Sequence, residues 1–267
     1  MSAHPLPSRP VERIWGRRDL PAEFGAPADV AIGEIWFEDP DPDAELLVKY
    51  LFTAERLSIQ VHPDDTAARA AGHPRGKDEA WYVLAAETDA RIGIGLTREV
   101  SRDALAAAAR DGSIEALLDW RPVAAGDIFY SPAGTIHAIG AGLSLIEIQQ
   151  NLDLTYRLYD YGRPRELHLD EAIAVADRGP WTPQPPPRAL AAGRELLAAG
   201  GAFTLERWRG DRQVRGDVTL VPLTAGGTID GAPVAAGTVW RVEGGATLAG
   251  VDALAAYPGA KAATISS

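Results

Sequence analysis

A mainly β protein, folded as two small barrels with short helical insertions in the first, is the expectation from three features of the 267-residue chain. Short runs rich in β-branched and aromatic residues recur between glycine, proline and aspartate turns. Helical signals are confined to a few short segments. A stiff proline-rich stretch, Pro180–Pro187, separates a larger and a smaller β-rich part.

Taken in order, Val30–Phe37 and Leu46–Phe52 read as strands that end in Asp/Pro turns. Leu57–His62 is a third, stopped by Pro63 and the turn-forming Asp64 and Asp65. An irregular stretch with Gly72, Pro74 and Gly76 follows, then strands at Glu79–Leu84 and Arg91–Gly95. Ser101 is placed to cap a helix over Arg102–Arg110 that Gly112 stops. A second short helix is expected from Ser113 through Trp120. Strands resume at Asp127–Tyr130, around His137 and at Leu143–Gln149, and Asp170–Ala176 reads as a short helix. Beyond the prolines, Gly201–Gly259 reads as short strands with glycine turns, such as Val218–Leu223 and Gly237–Trp240. The expected organisation is a catalytic domain at 1–179, a linker at 180–188 and a degenerate second barrel at 189–267.

Composition narrows the function. The apolar share, 46%, suffices for a buried core. No apolar run approaches the ~20 residues of a membrane helix, and the N-terminus lacks the apolar stretch of a signal peptide. The net charge of −11 disfavours nucleic acids and anionic membranes as partners. An anionic substrate would need a local positive pocket. The absence of cysteine excludes disulfides, thiolate sites and cysteine nucleophiles, and fits a cytoplasmic protein. Among basic residues arginine dominates, and Lys49, Lys77 and Lys261 are the only lysines.

The five histidines all lie at or before His168, so a histidine metal site belongs to the first barrel. In Gln60-Val61-His62, positions two apart on a strand share a face, so the Gln60 amide and the His62 ring converge on one point. Glu79 opens the next strand and can face them. Gly126, Pro132, Gly134 and His137 match the second motif of the cupin barrels position by position, a tight turn that aims the histidine inward. Ala141 stands where that motif has asparagine. The first cupin motif is altered, with Gln60 in place of a histidine and a longer gap before Glu79. Singly, each of these side chains has an ordinary reading as a core or surface polar group. Together they suit Zn²⁺, one per chain, with room for water or substrate, and Fe²⁺ or Mn²⁺ would also be accepted.

In these motifs the chain resembles the type I mannose-6-phosphate isomerases over nearly its whole length. The resemblance is carried by Glu12–Gly16, Ile32–Trp36, Leu46–Leu51, Leu57–Asp65, Gly76–Tyr82, Pro132–Ala138 and Tyr156–Asp160. It implies Zn²⁺ at Gln60, His62, Glu79 and His137, and Arg157 as the active-site arginine. By position, Ser58 and Lys77 would lie near the sugar phosphate, with Glu147 and Asp153 as polar groups of the pocket. The chain lacks the large helical domain of longer isomerases and so resembles the compact bacterial form. The expected reaction moves a proton between C2 and C1 of a phosphosugar through an enediol. Arg157, Lys77 and Glu147 are the candidate catalytic groups, the base staying open among Lys77, Glu147 and water on the metal. Lys77, two residues from Glu79, shares its side of the barrel and would transfer a proton if its pKa were lowered there. Arg157 could instead pair structurally with Asp160 or Asp153, and Arg163 and Arg165 read as solvated guards of the entrance. A cupin Fe²⁺ dioxygenase and a non-enzymatic sugar-phosphate sensor are the rival readings, against which Lys77 and Arg157 argue.

Overall fold

In the computed structural model, the described residues are 2–27, 29–191, 193–259 and the backbone of 264–266. The chain opens with β1 (Ser2–Pro5), β2 (Ser8–Arg17), β3 (Ile32–Phe37), β4 (Leu46–Thr53), β5 (Ile59–Val61) and α1 (Asp65–Ala70). It continues through β6 (Glu79–Ala86), β7 (Arg91–Leu96), α2 (Arg102–Asp111), α3 (Ile114–Leu117), β8 (Leu118–Pro122) and β9 (Ile128–Ser131). Then come β10 (His137–Ile139), β11 (Leu143–Gln150), β12 (Tyr156–Tyr159) and α4 (Leu169–Val175). After the prolines follow β13 (Arg188–Ala191), β14 (Arg194–Ala199), β15 (Phe203–Arg215), β16 (Val218–Pro222), β17 (Thr228–Ile229), β18 (Ala232–Pro233), β19 (Trp240–Glu243), β20 (Gly245–Pro258) and β21 (Thr264–Ser266).

The first barrel is two facing sheets. One has five strands in the order β12-β5-β10-β7-β8; the other has six, β2-β3-β4-β11-β6-β9. Because strand side chains alternate between faces, each sheet contributes to two cores. Between the sheets lie Trp15, Leu51, Trp81, Val83, Ile94 and Leu145. On the outer face of the five-stranded sheet, Ile59, Val61, Ile136 and Leu158 pack against Leu105 of α2 and Ala172 and Ile173 of α4. On the outer face of the six-stranded sheet, Ile35, Phe37, Phe52 and Ile148 meet Phe203, Leu205, Val221 and Leu254 of the second barrel.

The second barrel runs β1-β19-β16-β20-β15-β14-β13, with β17, β18 and β21 attached. Its own interior holds Trp208, Val218, Ile229 and Val242. Buried there too is the Glu206 carboxylate, which accepts from Arg194, Trp208 and Tyr257 at 2.5–2.8 Å. Ser2–Pro5 join this C-terminal sheet, since β1 pairs with β19.

Several local expectations change. Ser101 caps α2 through the Ala104 N–H, and Gly112 closes it with φ +82°. The following helix stops at Leu117, however, and Trp120 sits in β8, held by β7. Trp120 is a β-former whose indole N–H donates to the Glu115 carbonyl, which helps end the helix there. The stretch after Pro63 contains α1, capped by Asp64 through the Ala67 N–H. Only Ile59–Val61 of the Leu57–His62 run is laddered. Gly237 lies in a turn and Thr238–Val239 are irregular, with the strand beginning at Trp240. The C-terminal strands are not all short: β15 has 13 residues and β20 has 14, bent where their mutual register shifts near Gly210.

Candidate metal centre

Two cross-strand rows face each other inside the first barrel. In the five-stranded sheet, Arg157 of β12 lies opposite Gln60 of β5, which lies opposite His137 of β10. In the six-stranded sheet, Trp36, Lys49, Glu147 and Trp81 form a row across β3, β4, β11 and β6. Glu79, at the start of β6, closes the gap between the rows.

His62, Glu79 and His137 are all buried and bring one ligand atom each within 4.8 Å of one another. Nε2 of His62 is 3.3 Å from Glu79 Oε1, and Nε2 of His137 is 3.4 Å from Oε2. Each imidazole presents Nδ1 to a backbone carbonyl, Leu154 for His62 and Thr135 for His137, both at 2.9 Å. A carbonyl can only accept, so each ring holds its proton on Nδ1 and leaves Nε2 as a lone-pair donor. Burial pushes the His62 ring down to about 3 and lowers His137, which keeps both neutral at working pH. Both Glu79 oxygens are buried without a well-formed hydrogen bond. Burial alone would raise this carboxyl, but the Lys77 ammonium beside it outweighs that and holds it well below the usual range. An anionic carboxylate and two neutral imidazoles that each turn an Nε2 lone pair toward it are a donor set that suits a divalent ion.

Gln60 completes the row from the rim. Its amide nitrogen lies 3.3 Å from His137 Nε2, while its Oε1 accepts from the Ser58 hydroxyl at 3.0 Å. A half-turn of the amide exchanges these roles and turns the oxygen toward the donor cluster. The turn Pro132–His137 ties the three buried donors together through its backbone. The Ala133 N–H reaches the Asp78 carboxylate beside Glu79, the Gly134 N–H reaches the His62 carbonyl at 2.9 Å, and the Thr135 carbonyl holds the His137 ring. Gly134 is at φ +88°, where a Cβ would press on Asp177 Oδ2 and the Val175 carbonyl. This is the place where the turn requires glycine.

Above the cluster opens a cavity of about 520 Å³, lined among others by Ser58, Gln60, Lys49, Lys77, Glu147, Asp153 and Arg157. Lys77 Nζ stands 2.7 Å from Glu79 Oε1 and 3.3 Å from His62 Nε2. Burial would lower its pKa, yet Glu79 and then Glu147 outweigh that and raise it, the opposite direction from the lowering that proton transfer by Lys77 would need. Glu147 goes the other way: burial, then Glu79, raise its carboxyl. It accepts from the Trp81 indole at 3.1 Å and faces Lys49 at 3.4 Å. Arg157 lines the cavity with a buried Nε that has no hydrogen-bond partner among the described residues. Burial, then Arg165, lower its pKa. Asp160 does not take up Arg157, because Arg163 and Arg165 already occupy it, Arg165 through both oxygens at 2.6 and 2.8 Å. Those two arginines are thus anchored rather than simply solvated. Asp153 sits exposed on the rim.

Lys49, Glu34, Arg13 and His168 also line this cavity and are absent from the sequence-derived set. Lys49 is 3% exposed, with its ammonium 4.3 Å from the centre of the Trp36 ring. Glu34 accepts from the Trp36 indole and pairs with Arg13 at 2.7 Å. His168 Nδ1 accepts the Arg157 backbone N–H at 3.2 Å. The signal for Lys49 was a lysine inside an apolar strand of an arginine-rich chain.

No family model matches the chain. The mannose-6-phosphate isomerase of Streptococcus mutans is 33% identical over 261 aligned positions, covering 80% of each protein. The crystal structure of the Bacillus subtilis mannose 6-phosphate isomerase superposes with a TM-score of 0.85 at 26% identity, over 96% of this chain and 99% of that one. A zinc-bound mannose 6-phosphate isomerase shares the fold, with a TM-score of 0.71 at 13% identity over 97% of this chain.

Proposed function

The chain belongs to the mannose-6-phosphate isomerases, and from that premise we propose that it interconverts mannose 6-phosphate and fructose 6-phosphate at the cavity above His62, Glu79 and His137. The observation that carries this reading is the buried His–Glu–His donor set opening into a polar pocket that holds Lys49, Lys77 and Arg157 together with the Glu147 carboxylate. His62, Glu79, His137 and Gln60 would hold Zn²⁺, which when bound supplies Lewis-acid polarisation of the sugar oxygens.

The chain's own side chains account for the rest. Glu147 is the base: a carboxyl raised by burial sits closer to neutral pH than an ordinary glutamate and shuttles a proton better. It takes the proton from C2; the electron pair of that C–H bond becomes the C1–C2 double bond while the C1=O pair moves onto O1, which takes up a proton to give the enediol. In the second half O2 gives up its proton, C2=O forms, and the C1–C2 pair takes the proton back at C1. Lys77, held cationic, faces charge that builds on the sugar oxygens. The Arg157 fork, in no ion pair among the described residues, meets either that charge or the phosphate dianion, and Ser58 offers a hydroxyl at the same wall. Asp153 bounds the rim. Lys49 holds Glu147 in place from its other side. A cytoplasmic setting suits a phosphorylated substrate of this kind.

The test is conversion of mannose 6-phosphate by metal-analysed protein before and after chelation, with Zn²⁺ added back. Loss and recovery of turnover is the expected result. Bound metal without turnover, where a control isomerase works, would remove the isomerase reading in favour of a sensor, and metal-dependent oxygen uptake would favour an oxygenase.

A further inference from the structure

The second barrel supplies none of the donors, yet one of its turns rests on a side chain that touches the donor framework. Tyr130, on β9, lies opposite Ala80 of β6, so its ring points out of the first barrel, away from Glu79. The ring packs on Phe203 of the second barrel at 5.1 Å. Gly200, in the turn before β15, lies so close that a Cβ there would stand 1.9 Å from the Tyr130 hydroxyl. The backbone carbonyl of Tyr130 also accepts the Trp181 indole of the proline-rich segment at 3.0 Å. The hydroxyl donates to Asp78 Oδ2 at 2.6 Å. Asp78 stands between Lys77 and Glu79, and its other oxygen accepts the Ala133 N–H at 2.9 Å. One carboxylate therefore joins the root of the Glu79 strand to the turn that carries His137. Tyr130 fixes that carboxylate from the side of the second barrel.

We propose that Tyr130 and Asp78 are positioning residues for the metal centre, and that through them the turn at Gly200 sets how tightly the ion is held. The inference rests on the reading of His62, Glu79 and His137 as metal ligands. Outer hydrogen-bond partners of this kind change metal affinity by about 10–100-fold when removed. Tyr130→Phe keeps the ring and its contact with Phe203 while deleting only the hydroxyl. Asp78→Asn keeps an acceptor for Ala133 but turns the Tyr130 contact into a weaker neutral one. Gly200→Ala substitutes no residue of the first barrel, yet forces the Tyr130 ring to move.

The experiment is Zn²⁺ affinity by chelator competition for the three variants, with the visible spectrum of the Co²⁺-loaded protein and the Tm of the metal-free protein. Val242→Ala, a core truncation inside the second barrel remote from Tyr130, serves as the control for general destabilisation. Zn²⁺ affinity about tenfold or more below wild type in Tyr130→Phe and Gly200→Ala, with a shifted Co²⁺ spectrum and an affinity in Val242→Ala like wild type, is the expected result. Tyr130→Phe within twofold of wild type with an unchanged spectrum would overturn the inference, as would an equal loss in Val242→Ala. Wild-type protein that binds no Zn²⁺ would instead remove the metal reading itself, which separates the two failures.

Discussion

Nδ1 of His62 and of His137 faces a carbonyl, and that contact decides what the rest of each ring can do. Both imidazoles must stay neutral in the fold, whereas the unfolded chain would take up protons near 6.5. For His62 the folded value is depressed to about 3, so the unfolded state binds more protons between those limits. Stability is therefore full above pH 6.5 and falls as pH drops through the window toward 3. In metal-free protein, the Tm of His62→Gln should decline less steeply than wild type between pH 6.5 and 4. Equal slopes would show that His62 titrates normally. The comparison with wild type cancels Glu147, whose raised carboxyl acts in the opposite sense. Arg157 yields a kinetic prediction. Arg157→Ala should retain Zn²⁺ and lose ~10²–10³ in kcat, the range for removing a group that meets developing charge. Arg157→Lys should recover little, since an ammonium lacks the planar fork. Turnover near wild type in Arg157→Ala would take the residue out of the mechanism.

At the scale of elements, period-two alternation made Gln60 and His62 readable on one face, and the glycine–proline spacing made the His137 turn readable. What stayed hidden depends on register. Nothing local to Arg157 says that it lies opposite Gln60, and nothing local to Glu147 says that Lys49 is its partner. Those pairings join segments about 100 residues apart. Lys49 and Glu34 sit in strands buried on both faces, where alternation is erased and a lone charge reads as noise. The arch of β2 was hidden for a similar reason. Its register jumps from Glu12 to Arg17 against the single residue Ile32, throwing Arg13–Trp15 over the cavity. That arch seats on Gly33, where a Cβ would stand 2.5 Å from Arg13 Cβ and 2.6 Å from the Trp15 ring. Gly33→Ala should lift the arch, costing about 1–3 kcal/mol by overpacking. Zn²⁺ content should hold while kcat/KM falls. Unchanged kcat/KM at a lowered Tm would make the arch a structural element only.

For the whole molecule, the outer face of the six-stranded sheet is the deciding surface. Ile35, Phe37, Val48, Phe52, Ile146 and Ile148 are each no more than 3% exposed because Phe203, Leu205, Val221 and Leu254 cover them. We propose that residues 180–188 connect two barrels, 1–179 and 189–267, that share this core and fold as one unit. Burying such a side chain contributes about 1.5–3 kcal/mol. Six of them together rival the ~5–15 kcal/mol that holds an ordinary protein folded. The chain also crosses in the other direction, since Ser2–Pro5 pairs with β19. A fragment of residues 1–188 should therefore aggregate or unfold without cooperativity, although it keeps all four proposed ligands. Large exposed apolar patches of that kind drive association. The measurement is sedimentation together with thermal unfolding of the fragment, with and without Zn²⁺. A monodisperse fragment that unfolds cooperatively and binds Zn²⁺ as tightly as the full chain would show that the first barrel stands alone. In that case the second barrel would be a cover rather than half of the core.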